Sequence, residues 1–262
     1  MSLVLDHLSL QAPGVDSAAT LLRDHFGLIT TRTPAASERH GRVFLDRSYL
    51  EVATGAETSI ALFFLRYDQL DHTLEALTGR GLRARAAFYE GTDGVWEDVT
   101  ICAGTAVPLP FLTRRTTPAE AARDWPPPLT APHPCGATAL AAVHLRVPRL
   151  EPALEIYERL LGTPPAKLGE RRAVYRVHAG RIVLREATEL PPAIVGFELR
   201  VASLERTQRF LSALGTTTHH ADGALWTDPP NGWRLGFCEA AADEAPRGAA
   251  DRPALHPSEA AD

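Results

Sequence analysis

The chain has 262 residues, 45% of them hydrophobic and 23% charged, with a formal net charge of −5. That length holds one large domain or two of ordinary size, and the composition is that of a soluble globular protein. The acidic balance and the lack of a Lys/Arg tract argue against a nucleic-acid partner, and no apolar run approaches the roughly 18 residues of a membrane helix.

The N-terminal MSLVLDHLSLQ has no basic leader before an apolar core, so no signal peptide is expected. Cys102, Cys135 and Cys238 are odd in number and widely spaced, with no C-x-x-C. They form neither a disulfide framework nor a zinc ribbon, and they suit a reducing cytoplasm.

The first predicted strand is Leu3 to Gln11, followed by Pro13-Gly14 and a helix over Val15 to Phe26 that Gly27 ends. Strand-like runs follow at Leu28 to Thr33, Arg42 to Asp46 and Tyr49 to Thr54. The same order then restarts: a strand at Ser59 to Arg66, a helix at Gln69 to Thr78, and strands at Arg83 to Tyr89, Val95 to Cys102 and Val107 to Thr113. Residues 114–138 are rich in proline and read as an extended linker. After it, Ala139 to Val147 and the helix Leu150 to Leu161 open a third unit. Ile194 to Val201 and Leu204 to Leu214 open a fourth.

Pro13 and Pro148, and likewise Gly27 and Gly162, are 135 residues apart, while Leu70, Thr73, Leu77 and Gly81 match Leu204, Thr207, Leu211 and Gly215 at 134. Two nearly equal offsets in separate segments indicate a duplicated pair. The predicted fold is therefore α+β: four β-α-β-β-β units forming two curved mixed sheets with helices outside. The halves are residues 1–113 and 139–239, and 240–262 form a tail without apolar period.

Side chains alternate along a strand, which puts Val4, Asp6, Leu8 and Leu10 on one side and His7 with Ser9 on the other. In SYLEVA, Leu50 and Val52 make the apolar row while Tyr49 and Glu51 point the other way. If the two strands pair, His7 and Glu51 share the open face. A neutral imidazole beside a carboxylate is half of a divalent-metal site or an acid/base pair, and the bland alternative is a hydrogen-bonded histidine near a solvated glutamate. Trp96 is suited to an apolar ligand wall, with Glu97 or Asp98 as its hydrogen-bonding neighbour. His40 suits the cup's mouth or a solvated loop. Arg114-Arg115 suits an anionic substrate or solvent. In the second half Arg146, Arg176, Arg185, Arg200 and Arg234 fall away from the helix-facing rows, which suits a carboxylate or phosphate ligand or, equally, a salt network with Glu198.

The four-unit layout, LDHLSLQAPGVDSA at its opening, YLEV, and VPLPF closing the second unit resemble the vicinal oxygen chelate superfamily, and within it the glyoxalase-like branch. The resemblance implies a cup that holds a divalent metal (Zn, Ni, Mn or Fe) on residues of the first and last strands of each unit. Carried across, His7 and Glu51 are the metal ligands, with Glu97 or His40 as a third. Glu51 and Glu97 are the catalytic candidates, and His40, Trp96 and Arg114 the ligand-binding ones. The implied activity is that of a metal-dependent lyase, isomerase or dioxygenase acting on a small oxygen-bearing molecule. The alternative is a metal-free small-molecule or drug-binding protein using the same cup. The implied partner is a small molecule, with homodimerisation left open. Ala142 stands where the first unit has His7, so any chemistry is expected in the first cup, with the second half structural. No G-x-S-x-G, P-loop, G-x-G-x-x-G after a strand or H-E-x-x-H is present.

Overall fold

Alternating apolar residues decide which face of the opening strand meets a helix. β1 (Val4–Ala12) packs Leu8 and Leu10 with the buried Ala18, Leu22 and Phe26 of α1 (Val15–Phe26), which recur at helical spacing. The computed structural model describes residues 1–31, 40–46, 48–91, 94–103, 107–116, 131–178, 180–227 and 232–239. Its first half continues through β2 (His40–Phe44), β3 (Tyr49–Thr54), β4 (Ser59–Arg66), α2 (Leu70–Gly79), β5 (Ala84–Gly91), β6 (Gly94–Ile101) and β7 (Phe111–Thr116). The second half begins with β8 (Ala137–Val147), α3 (Leu150–Leu161), β9 (Lys167–Gly169), β10 (Arg172–Val177) and β11 (Gly180–Glu186). It ends with β12 (Ala193–Val201), α4 (Leu204–Ala213), β13 (Thr218–Ala221), β14 (Ala224–Thr227) and β15 (Arg234–Glu239).

Each half is one curved mixed sheet. The first has the order β2-β3-β1-β4-β7-β6-β5, the second β13-β14-β15-β12-β8-β11-β10-β9. β1 lies antiparallel to β4 and parallel to β3, and β8 repeats this with β12 and β11. The first strands of paired units therefore sit side by side at the centre of each cup. This is the α+β arrangement of duplicated β-α-β-β-β units that the offsets implied.

One apolar core runs through both halves, from Leu3 to Phe237. The equivalent glycines Gly27 and Gly162 cap α1 and α3 at φ 64° and 73°, the left-handed region. Each also lies against the other half. A Cβ at Gly27 would collide with the Phe210 ring of α4, and one at Gly162 with the Arg80 guanidinium that follows α2. His133 adds a polar strap. Its Nδ1 accepts the Ile29 N–H at 3.1 Å, which leaves Nε2 to donate to the Phe44 carbonyl at 2.7 Å. Burial pushes this imidazole below its ordinary range.

Several expected elements differ in extent. Leu28 to Thr30 form no strand, and Thr31 makes only an isolated bridge with Arg42. The strand expected from Val107 starts at Phe111, because Pro108 and Pro110 have no N–H to give a ladder. It runs on to Thr116, and β8 opens at Ala137, so both ends of the expected linker are in strands. The rest of that linker from 117 to 130, and the expected tail 240–262, lie outside the described residues.

Candidate functional site

The inner face of the first cup is built from rings. His7 is opposite Tyr49 on β3 and Phe64 on β4. Its ring stacks on both, with centroids 4.3 and 3.9 Å away and planes 13° apart. Trp96 meets the imidazole edge-on at 6.5 Å, and Phe44, Tyr49 and Trp96 form a buried cluster of their own. His7 itself is 4% exposed. Its Nδ1 lies 2.8 Å from Asp6 Oδ2, and Asp6 also pairs with Arg66 at 3.3 Å. Strict alternation had put Asp6 on the opposite side from His7. The correction has a local cause: the β1–β4 register shifts between Leu5 and His7, a bulge at Asp6 that brings the carboxylate beside its neighbour's ring.

Glu51 shares the inner face but stands one rung along, opposite Ser9. It gathers the rim residues His40, whose Nδ1 is 3.7 Å from Oε1, and Arg42, at 4.0 Å. The structure thus brings Glu51 to His40, while the nitrogen His7 turns to a carboxylate goes to Asp6. Trp96 and Glu97 are consecutive on β6 and face opposite ways. Trp96 is on the ring-lined face with Arg115 above it, 6.0 Å from its centroid. Glu97 is on the other face, opposite Arg114, with Oε2 3.8 Å from Arg114 and 3.3 Å from the Tyr67 hydroxyl. Glu97 and Arg114 are therefore not brought to the cup. Among the described residues no three His, Cys, Asp or Glu side chains converge, and His7 and Glu51 turn to different partners, Asp6 and His40.

The second cup is different. His144 of β8 and Glu198 of β12 are buried at 3% and 2% exposure and joined by a 2.7 Å hydrogen bond from Nε2 to Oε1. Arg181 of β11 donates to the other carboxylate oxygen. Burial pushes the His144 imidazole below its ordinary range, so it is neutral at pH 7 with its proton on the Nε2 that faces the carboxylate. Burial alone would push the Glu198 carboxyl up, but the bond from His144 and the Arg181 guanidinium bring it below its ordinary value. Trp226 meets the imidazole edge-on at 4.9 Å. Cys238 lies alongside, its thiol pushed up to about 12 by burial and by Glu198, so it is no thiolate nucleophile.

A cavity of about 580 Å³ reaches this trio at Arg181 and is lined by Arg172, Arg176, Arg181 and Arg200 among its charged groups and by Ala141, Val174 and Cys238 among its smaller ones. Asp222, in the β13–β14 turn, reaches across to Arg185 at 2.5 Å and Arg172 at 3.2 Å. Strands from opposite ends of the sheet order thus meet at the rim, which makes the sheet a half-barrel.

Sequence reasoning set Glu198 only beside the second-half arginines, not beside His144. It missed the pairing of His144 with Glu198, because a register shift between Glu198 and Leu199 sets which residues meet across β8 and β12. The position equivalent to Glu51 in the second half carries no carboxylate. The register gives that place to Val183, since Ser9 is opposite Glu51 and His144, 135 residues after Ser9, is opposite Val183. The usable signal was the 134-residue offset, which puts Glu198 on the rung of Phe64.

Neither a family model nor a curated protein sequence matches the chain. Its fold does match solved structures. The Mn(II)-bound glyoxalase of Novosphingobium aromaticivorans superposes with a TM-score of 0.67 at 13% identity, over 90% of this chain and 81% of the other. The 2,3-dioxygenase LapB of Pseudomonas sp. KL28 gives 0.65 at 16% identity over 90% and 92%. A halotolerant catechol dioxygenase gives 0.64 at 14% over 90% and 86%. The chain therefore has the duplicated β-α-β-β-β cup fold of these glyoxalase and dioxygenase structures.

Proposed function

We propose that this protein binds a small organic molecule in the cup of its second half, and that no protein-held metal takes part. The carrying observation is the cavity of about 580 Å³ on that cup's inner face, a volume within the range of small-molecule sites. The first cup supports such a role less well, because His7, Tyr49, Phe64 and Trp96 pack against one another where a ligand would lie. The neighbours' enzymes suggest the metal-dependent lyase, isomerase or dioxygenase reading. In this chain that reading rests on His7 and Glu51 and finds no third ligand among the described residues.

In the proposed site His144 fixes Glu198, Glu198 fixes Arg181, and Arg181 faces the cavity. A buried acceptor held from two sides keeps the guanidinium in one place before a ligand arrives, which lowers the entropy cost of binding. The three cysteines are all free, which suits a reducing compartment such as the cytoplasm. No helix among the described residues is long and apolar enough to cross a membrane.

The test is a thermal-shift screen of a small-molecule library against the purified protein, run with and without EDTA and alongside metal analysis. Stabilisation by a ligand that survives the chelator is the expected result. Stoichiometric Mn, Fe, Ni or Zn, with ligand binding lost on chelation, would overturn the proposal.

A further inference from the structure

The charge inside the second cup is unevenly compensated. β10 and β11 place arginines directly opposite one another twice, Arg172 with Arg185 and Arg176 with Arg181. Like charges on facing strand positions repel unless an anion lies between them. The first pair shares Asp222. In the second pair Arg181 is bound by Glu198, which approaches from the floor of the cup. Arg176 has neither hydrogen bond nor ion pair among the described residues, yet it lines the cavity. A guanidinium carries five N–H donors, so Arg181 keeps donors to spare after meeting one carboxylate oxygen. The Nε of Arg172, on the same wall, is buried without a hydrogen-bond partner. Lys167 and Arg200 add further positive charge, against only Asp222 and Glu239 among the lining carboxylates.

We infer that the cavity selects a small organic anion, a carboxylate or phosphate monoester with an apolar body, whose oxygens are held between Arg176 and Arg181. This rests on the second cup being the ligand site, as proposed above. Two guanidinium groups side by side match the paired oxygens of such a headgroup. Ala141 and Val174 offer the apolar body a surface of small side chains. Glu198 keeps Arg181 from turning away, and its own charge is spent on that contact, so the net field in the cup stays positive.

The experiment uses the intact protein and three probes of one shape: benzoate, phenyl phosphate and the neutral benzamide. Their affinities are measured by calorimetry for the wild type, for Arg176→Gln, and for Arg149→Gln, which removes an arginine paired with Glu151 away from the cavity. At least one of the two anions is expected to bind ten-fold or more tighter than benzamide, and Arg176→Gln to erase that preference. Arg149→Gln should bind as the wild type does. The tighter of the two anions identifies the headgroup. Equal binding of benzamide and both anions would overturn anion selection while leaving the second cup as a ligand site. Binding of an anion unchanged in Arg176→Gln would overturn the assignment to this arginine pair. No binding of any probe, together with an empty library screen, would overturn both this inference and the functional reading beneath it.

Discussion

Phe64 and Glu198 stand on the same rung of the two sheets. Phe64 is opposite His7, and Glu198 is opposite Ala142, the residue that the duplication places at the His7 position. In the first cup that rung carries a ring that covers the imidazole face. In the second it carries a carboxylate that organises His144 and Arg181. The two halves share a backbone and have diverged in what fills it: stacked rings in one, a polar trio that reaches a cavity in the other.

Glu198→Ala should destabilise the protein by about 3 kcal/mol, because it strips a buried acceptor from both His144 and Arg181. Glu198→Gln keeps the shape and one acceptor oxygen and should cost less, about 1 to 2 kcal/mol. Urea unfolding curves of the two variants beside the wild type check the order. Equal and negligible losses would show that the trio contributes nothing to the fold.

Acidification should weaken the fold through two buried histidines. His133 and His144 are both held below the ordinary value of 6.5, burial being the main cause. A histidine with a lowered folded value binds fewer protons folded than unfolded. The stability it contributes is complete above about pH 6.5 and is lost as the pH falls toward the folded value. Protonating His133 at Nδ1 also breaks its bond from the Ile29 N–H. Stability measured from pH 7.5 down to 5 should fall for the wild type and fall less steeply for His133→Gln. Parallel slopes would contradict the assignment.

Gly27→Ala should cost more than Gly162→Ala, although the two glycines are equivalent in the duplication. Both substitutions force a Cβ into the left-handed region, at about 1 kcal/mol. At Gly27 the added carbon also meets the Phe210 ring and crowds the Cys135 backbone, whereas at Gly162 it meets the end of the Arg80 side chain, which can swing away. Overpacking against the ring adds about 1 to 3 kcal/mol. Thermal unfolding of the two variants decides it, and equal losses would mean that the α1–α4 contact is looser than it looks.

His7→Ala should cost about 2 to 3 kcal/mol, the loss of a ring packed between two others. Its effect on metal response should be nil: added Mn(II), Ni(II) or Zn(II) should leave the wild-type Tm where it leaves the variant's. A metal-induced rise in the wild type that His7→Ala abolishes would restore the first cup as a metal site.

The fold was largely legible in the sequence because its repeat is marked by residues with backbone duties. Gly27 and Gly162 both end helices in the left-handed region, so their spacing survives where side chains have changed. Residues on the inner face of a cup carry no such constraint, and there strand alternation was the only guide. Trp96 and Glu97 were both expected in the cup, although consecutive strand residues face opposite ways and only Trp96 is on the ring-lined face. Alternation failed at Asp6, where a bulge adds a residue without extending the partner strand. The His144–Glu198 pair was hidden for the same reason, since register shifts between β8 and β12 decide it and leave no mark in composition or period.

The central claim is that a small molecule binds in the second cup and not the first, and indole signals report the place directly. Trp226 packs with Ala141 and Cys238, which line the cavity, and its indole N–H donates to the Ala221 carbonyl at 3.1 Å. Trp96 reports on the ring cluster of the first cup. With ¹⁵N-labelled protein titrated by the strongest binder of the library screen, the Trp226 indole resonance should move saturably while that of Trp96 stays in place. Movement of Trp96 with Trp226 unmoved would contradict the account.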